Sequence, residues 1–87
     1  MVLFKHVGIR ASAFKHGLTR DNILHAVGHP AGRAEENDDG PKVRYEFVGF
    51  DLAANEIEIV IELSETGEPE VVHAMKRRPH FPRKRNH

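Results

Sequence analysis

Hydrophobic and polar positions change their period once along this chain, near residue 43, which divides it into a helical first part and a stranded second part. The run Val2 to Val7, apolar apart from Lys5 and His6, predicts a first edge strand. From Ile9 to His16 the residues Ile9, Ala13 and Phe14 recur at helical spacing and Gly17 follows as a stop, predicting a first short helix. Thr19 then stands where an N-cap belongs, ahead of Asp21 and Asn22. Ile23, Leu24, Ala26 and Val27 supply the apolar stripe of a second helix, which Pro30 bounds.

Residues 31–42 are polar and carry the turn signal Asp39-Gly40-Pro41, with room for a short polar edge strand around Arg33 to Glu36. Beyond them Val43, Tyr45 and Phe47 alternate with Arg44 and Glu46. Ile57, Ile59, Ile61 and Leu63 then alternate with Glu56, Glu58 and Glu62, whose acidic face is expected to look at water. A turn at Thr66-Gly67 leads to Glu70–Lys76, where Val71, Val72, Ala74 and Met75 form a nearly continuous apolar run, the pattern of a central strand buried on both sides.

This order predicts an α+β domain: two N-terminal helices packed on one face of a twisted, mainly antiparallel sheet of three or four strands. The domain is expected to span residues 1–82, and residues 83–87, beyond Pro79 and Pro82, to form a basic flexible tail. A chain of 87 residues holds a single thin core and leaves any chemistry on an open surface. Having no cysteine, it can form neither a disulfide nor a thiolate zinc site, and it has no cysteine nucleophile. This fits a reducing, cytoplasmic setting, and no apolar run is long enough to span a membrane.

The formal net charge of zero conceals segregation. Residues 1–32 carry four bases and one acid, residues 33–70 three bases and twelve acids, and residues 71–87 six bases and no acid. Two basic ends flank an acidic middle, as in a phosphate-binding protein or one with a solubilising tail.

One residue pattern is more specific. Lys15-His16-Gly17, Leu18-Thr19 and Asp21 precede a helix ending at His29-Pro30, and the last strand reads Glu70-Val71-Val72-His73-Ala74-Met75-Lys76-Arg77-Arg78. Over roughly residues 4–81 this resembles the BrnT family of toxins of bacterial type II toxin-antitoxin systems, within the RelE/ParE-like group of small ribonucleases. The resemblance implies a RelE/ParE-like fold, cleavage of RNA without a metal or cofactor, and inhibition of translation. It also implies a DNA-binding antitoxin partner, with a homo-oligomer or a toxin-antitoxin heterocomplex as the assembly. Members usually continue into a basic helix after the last strand, which Pro79 and Pro82 disfavour here. A non-catalytic nucleic-acid-binding or protein-interaction module is the alternative.

Metal-free RNA cleavage requires a base for the 2′-hydroxyl, an acid for the leaving 5′-oxygen and cations for the phosphorane. Imidazole serves either proton role and guanidinium offers paired donors to phosphate, so Lys15, His16, Arg77, Arg78 and His80 are the catalytic candidates. Arg83, Lys84 and Arg85 are candidates for binding nucleic acid. Each has a plainer reading as well: His16 as a favourable helix C-terminal residue, and Arg77 and Arg78 as partners of the glutamates at 56–62. His73 reads as a core histidine or one facing a groove, and Tyr45 as core rather than a stacking platform. His25 and His29 share helical spacing, but without a third ligand no metal site is expected. RNA and antitoxin are expected to share the basic side, at Arg77 and Arg78, away from Glu56, Glu58 and Glu62.

Overall fold

The computed structural model describes residues 6–38 and 40–78. Five strands and one α-helix follow in the order β1 (Gly8–Ile9), a 3-10 turn (Ala11–Phe14), α1 (Arg20–Gly28), β2 (Glu35–Asn37), β3 (Arg44–Phe50), β4 (Glu56–Leu63) and β5 (Pro69–Lys76). They form one open mixed sheet in the order β1-β5-β4-β3-β2, in which β1 runs parallel to β5 and the other pairs are antiparallel.

This corrects the expected fold. Among the described residues there is one α-helix, not two, and the sheet has five strands of mixed direction rather than three or four in a RelE/ParE-like arrangement; the BrnT-like and RelE/ParE-like fold is therefore not the one adopted. The predicted first helix is replaced by β1 and a single 3-10 turn. Ile9 pairs with Val71, and the Arg10 backbone N–H donates to the Val71 carbonyl at 2.9 Å, so the edge of β5 takes the residues that would have opened the helix. What remains before Gly17 is too short to offset helix nucleation, and Arg10 at the N-cap makes no side-chain cap bond. Gly17 does end the turn, with φ +82°.

The second helix forms as read. Thr19 Oγ1 accepts the Asn22 N–H at 3.2 Å, and the chain leaves the helix through His29 into Pro30, which bridges to Gly49 of β3. Ile23, Ala26 and Val27 pack with Phe47, Ile57, Ile59, Ile61, Val71, Ala74 and Ala13 into the core on one side of the sheet. Close approach of α1 to β3 requires Gly49: a Cβ there would lie 2.0 Å from the Ala26 carbonyl oxygen. The polar edge strand is β2, slightly later than expected, and the turn at Gly67 has φ +85°.

Strand β5 is not buried on both faces as its composition suggested. Its register against β4 slips between Val60 and Ile61: His73 faces Val60 while Val71 faces Ile61, leaving Val72 as the extra residue of a β-bulge. The bulge reverses the alternation, so Val71 and Ala74, three apart, both enter the core while His73 turns to the opposite face. Glu58, Val60 and Glu62 lie on that same face, the one away from α1. The expected water-facing row there is also corrected, because Glu58 is 0% exposed and Glu62 5%.

Candidate functional site

The face opposite α1 carries two charge clusters, each centred on a buried glutamate of β4. In the first, Glu58 Oε1 accepts from His73 Nε2 at 2.8 Å. Arg78 curls back beyond the end of β5, its Nη2 donating to Oε1 at 3.2 Å and its Nε to Oε2 at 3.2 Å. Burial on its own pushes the Glu58 carboxyl up, but the bonds from His73 and Arg78 outweigh it and hold the group below the ordinary carboxylate value. An ionised carboxylate has no proton to give, so His73 carries the hydrogen on Nε2 and presents a bare Nδ1 when neutral.

His16 stands beside this pair. Its ring meets that of His73 edge to face at a centroid distance of 5.5 Å. The segment that brings it there is pinned by the bulge, since the Ser12 hydroxyl donates to the Val72 carbonyl at 2.7 Å. A shallow groove of about 470 Å³ runs over the cluster, lined among others by Arg10, Ser12, Glu58, His73 and Arg78.

The second cluster surrounds Glu62. Arg10 Nη1 lies 3.1 Å from Oε1, Lys42 Nζ 3.7 Å from Oε1 and Arg44 Nε 3.0 Å from Oε2. Arg10 also reaches Glu70 at 2.6 Å. Burial pushes the Glu62 carboxyl up, and the bonds from Arg44 and Arg10 bring it below the ordinary value. The segregated charges of the sequence are thus folded onto one another: the acidic strand is neutralised by bases from both the N-terminal and C-terminal parts. The anticipated separation into a basic side and an acidic side at Glu56, Glu58 and Glu62 is not found.

Of the candidates from sequence, Arg78 lines this groove, and His16 stands beside it against the His73 ring without lining it. Lys15 is exposed at the end of the 3-10 turn. Arg77 is directed elsewhere, with Nε 3.4 Å from Glu56 Oε1, buried and without a hydrogen-bond partner. His80, Arg83, Lys84 and Arg85 lie outside the described residues, as does the expected tail 83–87. Sequence reasoning passed over Glu58 and gave His73 a secondary place. The available signal was an even-numbered glutamate on a strongly alternating strand, facing a histidine in an otherwise apolar strand.

His25 and His29 do stack, with ring centroids 3.9 Å apart and planes 8° from parallel. Each Nδ1 donates to a backbone carbonyl, of Phe50 at 2.7 Å and of His25 at 2.8 Å, so both lone pairs sit on Nε2. Parallel rings direct those lone pairs side by side rather than toward one point, and among the described residues no group of three potential ligands could hold a metal ion. Nor is any described helix long and apolar enough to cross a membrane.

The chain matches no protein family model, no curated protein and no solved structure.

Proposed function

We propose that the groove at His73, with His16 beside it, is the reacting centre of a metal-independent ribonuclease. The observation that supports this reading best is the juxtaposition of two imidazoles, one of them backed by a buried carboxylate, beside the arginine Arg78. His73 Nδ1 takes the proton of a ribose 2′-hydroxyl, whose oxygen attacks the adjacent phosphorus. Glu58 stabilises the imidazolium that forms. His16 gives a proton to the departing 5′-oxygen. The products are a 2′,3′-cyclic phosphate and a free 5′-hydroxyl. Arg78, whose side chain is 51% exposed, adds positive charge near the phosphorane.

RNA incubated with the purified protein in EDTA should yield cyclic-phosphate ends, and His16→Ala should lower the rate by about 10²–10⁴-fold, the range for loss of a general acid. The cellular role proposed with this activity is that of a toxin held in check by an antitoxin, in a cytoplasmic setting. Expression in bacteria should then arrest growth, and His16→Ala should relieve the arrest.

One observation favours a non-catalytic module instead: Arg10, Arg44 and Arg78 all pair with carboxylates, which leaves little net charge on the face. In the EDTA assay that reading expects intact RNA, or no interaction at all.

A further inference from the structure

One arginine would neutralise one buried carboxylate, yet three cations converge on Glu62 from three separate places: Arg10 after β1, Lys42 before β3 and Arg44 on β3. Glu70 accounts for the second arm of Arg10 only. Within the cluster Arg10, Lys42 and Arg44 meet Glu62 and Glu70, and Glu46 stands beside Arg44 on the same face, so the cations and carboxylates balance. The side chains of Arg10, Lys42 and Arg44 are 41%, 40% and 54% exposed, but Arg10 is held by a second carboxylate, Glu70, so Lys42 and Arg44 are the less constrained cations. Lys42 makes the longest of the three contacts, and its ammonium has three donors for one distant oxygen. Arg44 meets Glu62 through Nε alone.

These two side chains wall a groove of about 540 Å³, completed by Asn37, Gly40 and Pro41 and floored by Glu62. Arg44 also lines the groove over His73, so the two depressions meet at that residue. Glu46 lines only the groove over His73, away from Lys42. At roughly 3.3 Å per residue along β4, Glu62 lies about 13 Å from Glu58. An oligonucleotide covers that span, and a dinucleoside monophosphate with its single phosphate does not.

We propose that Lys42 and Arg44 form a second phosphate subsite, which grips a backbone phosphate of single-stranded RNA remote from the one being cleaved. The inference rests on the ribonuclease reading for the identity of its ligand. Glu62 acts as the internal anion that holds the two cations in place when no RNA is bound, and it keeps them apart from Glu58 and Arg78. The consequence is a preference for longer substrates, expressed in KM, because the subsite touches none of the reacting atoms.

The test uses a labelled thymidylate oligodeoxynucleotide, which lacks the 2′-hydroxyl and so reports binding without cleavage. Its affinity for the full chain should fall as salt rises. In the variant carrying Lys42→Ala with Arg44→Gln, the slope of log K against log salt should become shallower by about 0.7, the loss of one single-strand phosphate contact. Lys42→Ala alone, which removes the weakest contact to Glu62 and leaves both arginines, serves if the double variant does not fold. On RNA, Lys42→Ala, at a residue that does not line the groove over His73, should raise KM severalfold for an oligonucleotide and leave kcat/KM for a dinucleoside monophosphate unchanged. An unaltered slope, or no binding by the wild-type chain at low salt, overturns the subsite while leaving cleavage to be judged on its own. A shallower slope with no RNA cut by any form upholds the subsite and rejects the ribonuclease.

Discussion

Glu58 and His73 are diagonal neighbours across β4 and β5, joined at 2.8 Å on the face of the sheet opposite α1. The carboxylate is 1% exposed at its side chain and the imidazole 31%, so the pair has one buried end and one end open to the groove. That is the arrangement of an orienting carboxylate behind a base. Glu58→Gln keeps the shape, but its amide can accept from Nε2 only as a neutral group, so a positioning role is expected to appear in the pH profile. The acid limb for RNA cleavage should move while KM for RNA stays within twofold, whereas His73→Ala should abolish cleavage. A Glu58→Gln variant with unchanged rate and profile would remove Glu58 from the proposed mechanism.

Arg78 is a poor probe of the same chemistry. It donates to both oxygens of Glu58, so removing it strips charged hydrogen bonds from a buried carboxylate, a loss of about 1–3 kcal/mol. Arg78→Ala should therefore lower the urea midpoint as well as activity. His16 is exposed, and His16→Ala should leave the midpoint unchanged. Equal midpoints for Arg78→Ala and wild type would show that the Glu58–Arg78 contact contributes nothing to folding.

Three buried carboxylates should make the fold sensitive to acid. Glu58, Glu62 and Asp51 all titrate below their ordinary values in the folded chain; for Asp51, burial pushes upward and the bonds from Asn55 and Ala53 overcome it. Between the lowered folded values and the ordinary ones near 4, the unfolded chain binds more protons, so stability rises with pH there. The contribution is complete above the ordinary carboxylate range and disappears as pH falls through the folded values. Urea midpoints should drop steeply below about pH 4. Glu62→Gln should be less stable at neutral pH and show a weaker acid dependence. A variant as acid-sensitive as wild type would remove Glu62 from this balance.

The parts of this fold written locally were legible in the sequence. Thr19 caps the helix, Pro30 ends it, Gly67 turns the chain, and the alternation of Ile57, Ile59 and Ile61 places β4. What escaped was non-local. Ile9 joined a strand because Val71, sixty-two residues later, offered an edge, and local helical spacing carried no trace of that partner. The bulge at Val72 made a one-faced strand look two-faced. Glu58 and Glu62 were buried by Arg78, Arg10 and Arg44, none of which is near them in sequence, so a row of glutamates read as solvated became the centre of both clusters. His16 and Arg78 were recognisable as chemistry, but their meeting at Glu58 and His73 depended on the bulge and on the turn back after β5.

The helix seat should be among the least tolerant positions. Gly49 faces the Ala26 carbonyl, and an added Cβ would be 2.0 Å from its oxygen and 2.7 Å from its carbon. Both are backbone atoms of a packed helix, so relief requires α1 to move off β3. Gly49→Ala should cost at least the roughly 1–3 kcal/mol of an overpacked core. Gly28→Ala, where nothing lies within 4 Å of the added atom, should be close to neutral. Comparable urea midpoints for the two variants would mean that the helix adjusts freely and that its close seating is not required.

The β3–β4 loop offers the opposite outcome, a gain in stability. Ala54 has φ +66°, the single described non-glycine residue in the left-handed region, where a Cβ costs about 1–2 kcal/mol. The conformation is imposed by Asp51, whose Oδ1 accepts the N–H groups of Ala53 at 3.0 Å and Asn55 at 2.8 Å while Oδ2 accepts from the Asn55 side chain at 3.2 Å. Ala54→Gly removes the steric penalty but gives the unfolded chain more freedom, which offsets about 0.4–1 kcal/mol of the gain. The balance favours a rise of a few tenths to about 1 kcal/mol, readable as a higher urea midpoint with an unchanged slope. Asp51→Ala should lower the midpoint, and with that carboxylate gone the loop is free to relax, so Ala54→Gly should gain less in the Asp51→Ala background. A full gain there would show that the left-handed turn is set by something other than Asp51.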